Sequence, residues 1–158
     1  MLLIGFVLIV GLDQYTKAEV QRKIPLHQTL KVIDGFFNLT HVRNTGGAFG
    51  ILSTGRGGAG SLFFITVSLA AIGILLFLFY RLREDERILS LSLSLILSGA
   101  IGNLIDRVRY GEVVDFLDFY LSSYHWPAFN IADSGITIGI GLMVFQFIFH
   151  DKKRKPSP

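Results

Sequence analysis

The chain has 158 residues, 51% of them hydrophobic and only 17% charged, with a formal net charge of +3 and a mean hydropathy of +0.52. It contains no cysteine, which excludes a disulfide framework, a thiolate nucleophile and a Cys-ligated zinc. Its apolar residues come in long unbroken runs, as in a membrane protein, and the basic tail Lys152, Lys153, Arg154 and Lys155 reads as an anchor facing anionic lipid, with no call for nucleic acid.

The first predicted span covers about 1–20. Its opening twelve residues are apolar or Gly, and Asp13, Gln14 and Lys17 then interrupt it. A signal-peptide core is the competing reading, disfavoured because no basic stretch precedes the run and no small-x-small cleavage site follows. At about 1.5 Å per residue, twenty residues are just long enough to cross, with Asp13 towards the far interface. Asp13 and Lys17 form an i, i+4 pair that lowers the cost of charge there, so both are expected to be structural.

Residues 24–60 form a connecting segment with strand-like stretches at 30–32 and 36–42, bounded by Asp34-Gly35 and Asn44-Thr45-Gly46-Gly47. They predict a small β-sheet resting on the helices. The second span, 62–80, is nineteen residues without a charge. The third, 88–105, shows a Leu-Ser alternation that mimics a strand, but its uncharged length favours a helix whose serines bond back to the preceding turn. Residues 106–128 are read as a loop or helix between spans three and four, with Tyr120, Tyr124 and Trp126 suited to the membrane interface. The fourth span, 129–149, carries Gly135 and Gly139, a spacing that permits close helix contact.

Four spans make one integral membrane domain over 1–158, mainly α, with both termini on one side. The connection 81–87 and the tail 150–158 share that side and hold seven Lys or Arg, against eight elsewhere. The bare count leaves orientation open; the density of charge in a short turn and tail places both termini in the cytoplasm.

That topology gathers Asp13, Asp106, Asp115, Asp118 and Asp133 at the outer ends of spans or in the loop between them. A carboxylate near hydrocarbon costs roughly 2.5 kcal/mol or more at mid-membrane, so its presence marks function by default. Gly99, Asn103 and Asp106 fall at i, i+4 and i+7 on one face of span three, and Asn130, Asp133 and Thr137 at i, i+3 and i+7 on one face of span four. Asp106 is read as a helix-end ion pair with Arg107, and Asp118 as a solvated loop residue. His27, His41, His125 and His150 stand singly without metal-site spacing, and Ser134 has no base in register, so metal and serine chemistry are set aside. The rival reading is a small proton- or ion-conducting subunit, but acids gathered at one end of the bundle describe a site rather than a path through it.

Asp13-Gln14-Tyr15-Thr16-Lys17, Asn44-Thr45-Gly46-Gly47-Ala48-Phe49, Gly102-Asn103-Leu104-Ile105-Asp106-Arg107, Val113-Val114-Asp115-Phe116 and Phe129-Asn130-Ile131-Ala132-Asp133-Ser134 resemble, in order, the motifs of bacterial lipoprotein signal peptidase, the type II signal peptidase. The resemblance implies an aspartyl endopeptidase of the bacterial inner membrane, active near its outer face. Its substrates would be prolipoproteins carrying diacylglyceryl-cysteine, cut just before that cysteine. It further implies a globomycin-sensitive monomer in contact with membrane lipid and needing no cofactor. On the matching positions Asp115 and Asp133 are the catalytic pair; Asn44, Gly46, Gly99, Asn103, Arg107 and Asn130 bind substrate or support the pair. Gly47 and Gly135 stand where the family pattern often has Ala.

Overall fold

The computed structural model describes residues 2–46, 59–83 and 85–149. Gly47, Ala48 and Phe49 of the second motif, His150 and the basic tail lie outside the described residues.

The described residues form four long helices: α1 (Leu2–Lys23), α2 (Ala59–Tyr80), α3 (Arg87–Tyr110) and α4 (Ile131–Phe149). Among the described residues three stretches, Gly60–Tyr80, Arg87–Tyr110 and Ile131–Phe149, are long and apolar enough to cross a membrane. Polarity is arranged inside out. Leu62, Ile74, Ile138 and Phe149 are exposed on helix surfaces, whereas Asp13, Lys17, Ser92, Ser98, Asn103 and Asp106 are buried between helices. In hydrocarbon there is no gain from hiding leucine, so the interior is left to groups that bond to one another.

Helix α3 is the hub, packed against α1, α2 and α4. Small residues set how closely α4 approaches. A Cβ on Gly99 would collide with the Ala132 carbonyl oxygen, and one on Gly139 would meet the Ser92 oxygen at 2.7 Å. Gly135 is different, since a Cβ there would sit 3.4 Å from the Leu95 oxygen, in ordinary contact. The α3 serines behave as expected, with Ser92 donating to the Ile88 carbonyl (2.8 Å) and Ser98 to the Ser94 carbonyl (2.6 Å).

The sheet is larger than the sequence suggests. Strands β1 (Thr29–Ile33), β2 (Phe37–Asn44), β3 (Val113–Leu121) and β4 (Tyr124–His125) lie in that order, each antiparallel to its neighbour. The expected loop or helix over 106–128 is therefore corrected on both sides. Helix α3 continues to Tyr110, with Arg107 and Arg109 in its last turn and Gly111 closing it at φ 80°. The chain then enters β3, whose apolar and aromatic residues find their partner in β2, about seventy positions back. Between Leu39↔Leu117 and Val42↔Asp115 the register shifts, so Thr40 and His41 together oppose Phe116. Such a bulge re-aims the strand beyond it, here towards the helices.

Candidate active site

Each polar side chain at the sheet end of the bundle is placed by a local cause. Phe129 is drawn onto the sheet edge, its carbonyl accepting from Phe116 N (3.0 Å) and Leu117 N (2.8 Å) while its own N–H donates to the Leu117 carbonyl (3.1 Å). That tie delivers the next residue, Asn130, beside Asp115. Asn130 also starts α4: its carbonyl accepts from Ser134 N (3.1 Å) and its Oδ1 from Asp133 N (2.9 Å). Asp133 Oδ2 answers by accepting from Asn130 N (3.3 Å), so the pair forms a reciprocal cap on the helix.

The two acids are thereby joined through one residue. Asn130 Nδ2 donates to Asp115 Oδ1 (2.7 Å), and the same amide shares its second hydrogen between Asn103 Oδ1 and the Val114 carbonyl, each at 3.2 Å. Asn103 Nδ2 donates to Asp133 Oδ1 (2.8 Å), and Asn44 Nδ2 to Asp115 Oδ2 (2.9 Å). The amide orientations follow from chemistry. Asn44 Oδ1 accepts from Gly46 N (2.8 Å), Asn130 Oδ1 from Asp133 N, and Asn103 Oδ1 from the Lys17 ammonium (3.1 Å). A backbone N–H and an ammonium only donate, so each amide must present its NH₂ group to a carboxyl.

Beneath this layer lies a buried ionic cluster. Lys17 Nζ meets Asp13 Oδ2 at 2.9 Å and Asp106 Oδ2 at 3.0 Å, which with Asn103 uses all three of its donors. Asp13 Oδ1 accepts from Ala132 N (2.9 Å) and Asp106 Oδ2 from Val114 N (3.0 Å), tying α1 to α4 and α3 to β3. The i, i+4 pairing of Asp13 with Lys17 is present as read from spacing. The pairing of Asp106 with Arg107 is not: neighbouring residues on a helix point about 100° apart, and Asp106 faces Lys17 instead.

Asp115 is only 3% exposed, and burial pushes its carboxyl up from 3.8 to about 6. The Asn44 and Asn130 hydrogen bonds and the Lys17 charge pull the other way, while the charge of Asp133 pushes it higher. Arg107 lies alongside, its Nη1 donating to Ser68 Oγ at 3.4 Å and its Nε buried without a partner, and its charge acts on Asp133, Asp106 and Asp115.

Gly99, Asn103 and Asp106 do share a buried face of α3. Thr137 is exposed and stands apart from Asn130 and Asp133, because Asn130 precedes the helix and belongs to its cap, not to its face. Asp118 needs correction: it is 8% exposed, accepting from Asn38 Nδ2 (2.8 Å) and pairing with His125 Nδ1 (2.8 Å) across the sheet. Reading 106–128 as loop hid this partner. Gln14 was also missed; its Nε2 donates to Asp106 Oδ1 (3.0 Å) and to the Gly102 carbonyl (3.1 Å). The Asn-x-x-Asp spacing before an apolar run could have announced the α4 cap.

Comparison with known proteins shows the family. The signal peptidase (SPase) II family model matches residues 5–149. The lipoprotein signal peptidase of Desulforapulum autotrophicum is 51% identical over 143 residues, covering 90% of this chain and 88% of its own. That of Geobacter sulfurreducens is 47% identical over 145 residues, with 92% and 89% covered. A bacterial membrane enzyme solved by the in meso method at 2.3 Å superposes with a TM-score of 0.83 at 33% identity, covering 99% of this chain and 93% of that one. A second, solved at 1.9 Å, gives 0.82 at 35% identity, covering 94% and 93%. The chain belongs to the signal peptidase II family, the aspartic-type peptidases known as lipoprotein signal peptidases.

Proposed function

We propose that Asp115 and Asp133 are the catalytic dyad of an intramembrane endopeptidase that removes signal peptides from diacylglyceryl-modified prolipoproteins, cutting just before the lipidated cysteine. The observation that carries this reading is the Asn130 bridge, whose side chain holds Asp115 at 2.7 Å while its backbone caps Asp133. Two carboxyls held beside each other resist double ionisation, so one keeps a proton at neutral pH and the other is free to activate water. Neither a covalent intermediate nor a metal is required.

The chain is placed in the bacterial cytoplasmic membrane as a four-span monomer, with both termini cytoplasmic and the dyad near the outer face. Helix α1 joins α2, α3 and α4 as a span. Its 22 residues reach about 33 Å, and its interior charges, Asp13 and Lys17, are paired with each other, Lys17 also with Asp106, rather than left in lipid. Arg107, with an unpartnered Nε–H beside the dyad, positions the substrate backbone, and Asn44 and Gly46 contact substrate at the outer rim. An assay of purified protein with lipidated and non-lipidated precursors tests the reading. Asp115→Asn and Asp133→Asn are each expected to lose cleavage while remaining inserted and folded. Near-wild-type turnover by either variant removes the dyad.

A further inference from the structure

We infer that the two dyad acids are not equivalent: Asp133 holds the negative charge in the resting enzyme, Asp115 holds the proton, and Asn103 with Lys17 behind it is the positioning pair that keeps them so. This rests on the dyad reading above and assigns the roles within it.

The surroundings differ in kind. Asp133 sits in the first turn of a nineteen-residue helix, where the dipole favours an anion, and one of its oxygens accepts from a backbone N–H. Its other oxygen accepts from Asn103, whose own oxygen is held by the Lys17 ammonium at 3.1 Å. An amide polarised by a cation at one end is a stronger donor at the other. Asp115, in contrast, lies on a strand with no helix terminus behind it, buried, and accepts only from two neutral amides, Asn44 and Asn130. Burial there favours the neutral acid. The other charges facing the pair are those of the α1–α3 cluster, Asp13 and Asp106, which the Lys17 ammonium engages directly. Helix α2 contributes Ser68 and the ring of Phe64. The two neutral amides favour an ionised Asp115, but the helix terminus, the capping N–H and the Lys17-backed amide on Asp133, with the burial of Asp115, outweigh them and put the charge on the helix cap and the proton on the strand.

The assignment gives the chemistry a direction. Water gives a proton to Asp133 as its oxygen bonds to the scissile carbonyl carbon, and Asp115 gives its proton to the carbonyl oxygen, leaving a neutral gem-diol. Asp133 then passes its proton to the nitrogen as the C–N bond breaks, and Asp115 recovers a proton from one diol hydroxyl. Acid and amine leave, and both acids return to their starting states.

The experiment is the pH profile of kcat/KM for the full chain in lipid, with a lipidated precursor peptide as substrate. In a pair, the acid limb reports the first ionisation and the alkaline limb the second. Asn103→Ala is expected to move the acid limb up by about one pH unit and leave the alkaline limb in place. Asn44→Ala is expected to move the alkaline limb up by a similar amount and leave the acid limb in place. The opposite pairing of variants and limbs, or joint movement of both limbs in both variants, overturns the assignment. A second readout does not need the Asn103 variant to fold. In the carboxyl-labelled wild-type protein, held between the two limbs, the ¹³C signal missing from Asp115→Asn should have the shift of a protonated acid. The signal missing from Asp133→Asn should have that of a carboxylate, and the reverse overturns the proposal. Undiminished turnover in Asp115→Asn or Asp133→Asn is a separate result, which removes the dyad itself.

Discussion

Lys17 and Asn103, 86 positions apart, meet in the interior with the ammonium 3.1 Å from the amide oxygen. The contact links a buried charge cluster to the pair of acids above it, so the same lysine serves folding and the site.

Lys17→Met removes the cation between Asp13 and Asp106, both about 1% exposed. Leaving buried charge unpaired costs about 3–5 kcal/mol. The variant is expected to unfold at markedly lower temperature in detergent, and adding Asp13→Asn should recover part of the loss. Equal stability of the single variant and wild type would show that the cluster is not kept ionised.

Asp115 gives stability a pH dependence of known sign. The folded carboxyl holds its proton up to about 6, against 3.8 for an unperturbed aspartate, so its favourable contribution is complete below 3.8 and is lost as pH rises through 6. Comparing unfolding of wild type and Asp115→Asn at pH 3.5 and 8 should therefore show the balance moving towards the variant by about 3 kcal/mol. Movement the other way would mean that the site favours the ionised form.

The glycines at the α3–α4 contact are expected to separate. Gly139→Ala and Gly99→Ala force a methyl against the backbone oxygens of Ser92 and Ala132, and each should cost about 1–3 kcal/mol. Because the forced movement displaces α4, which carries Asp133, Gly99→Ala should also lower kcat. Gly135→Ala meets only ordinary contacts and should match wild type in both unfolding temperature and turnover.

Asp118 is held by Asn38 and His125 on the sheet, away from the dyad. Asp118→Ala leaves Asn38, 5% exposed, without that partner and should lower stability by about 1–3 kcal/mol. Turnover per folded molecule should be unchanged; a selective loss of kcat would bring this pair into the reaction.

The helices were legible because their cause is local. Uncharged runs of about twenty residues and the spacing of Gly99, Asn103 and Asp106 report a period that any short window contains. The residue types of the site were legible for a related reason, since acids and asparagines beside apolar sequence are costly without use.

What only the tertiary structure decided is partnership. Strand β3 looked like a loop because its partner β2 is about seventy residues away and comes alongside only when α2 and α3 fold between them. Asp106 was assigned to its chain neighbour, when the helix turned it towards Lys17 on α1. The two acids, one on a strand and one on a helix cap, become a pair because Phe129 docks on the sheet edge and leaves Asn130 between them. Periodicity is a property of a segment; a hydrogen bond across the bundle depends on where every other segment has come to rest.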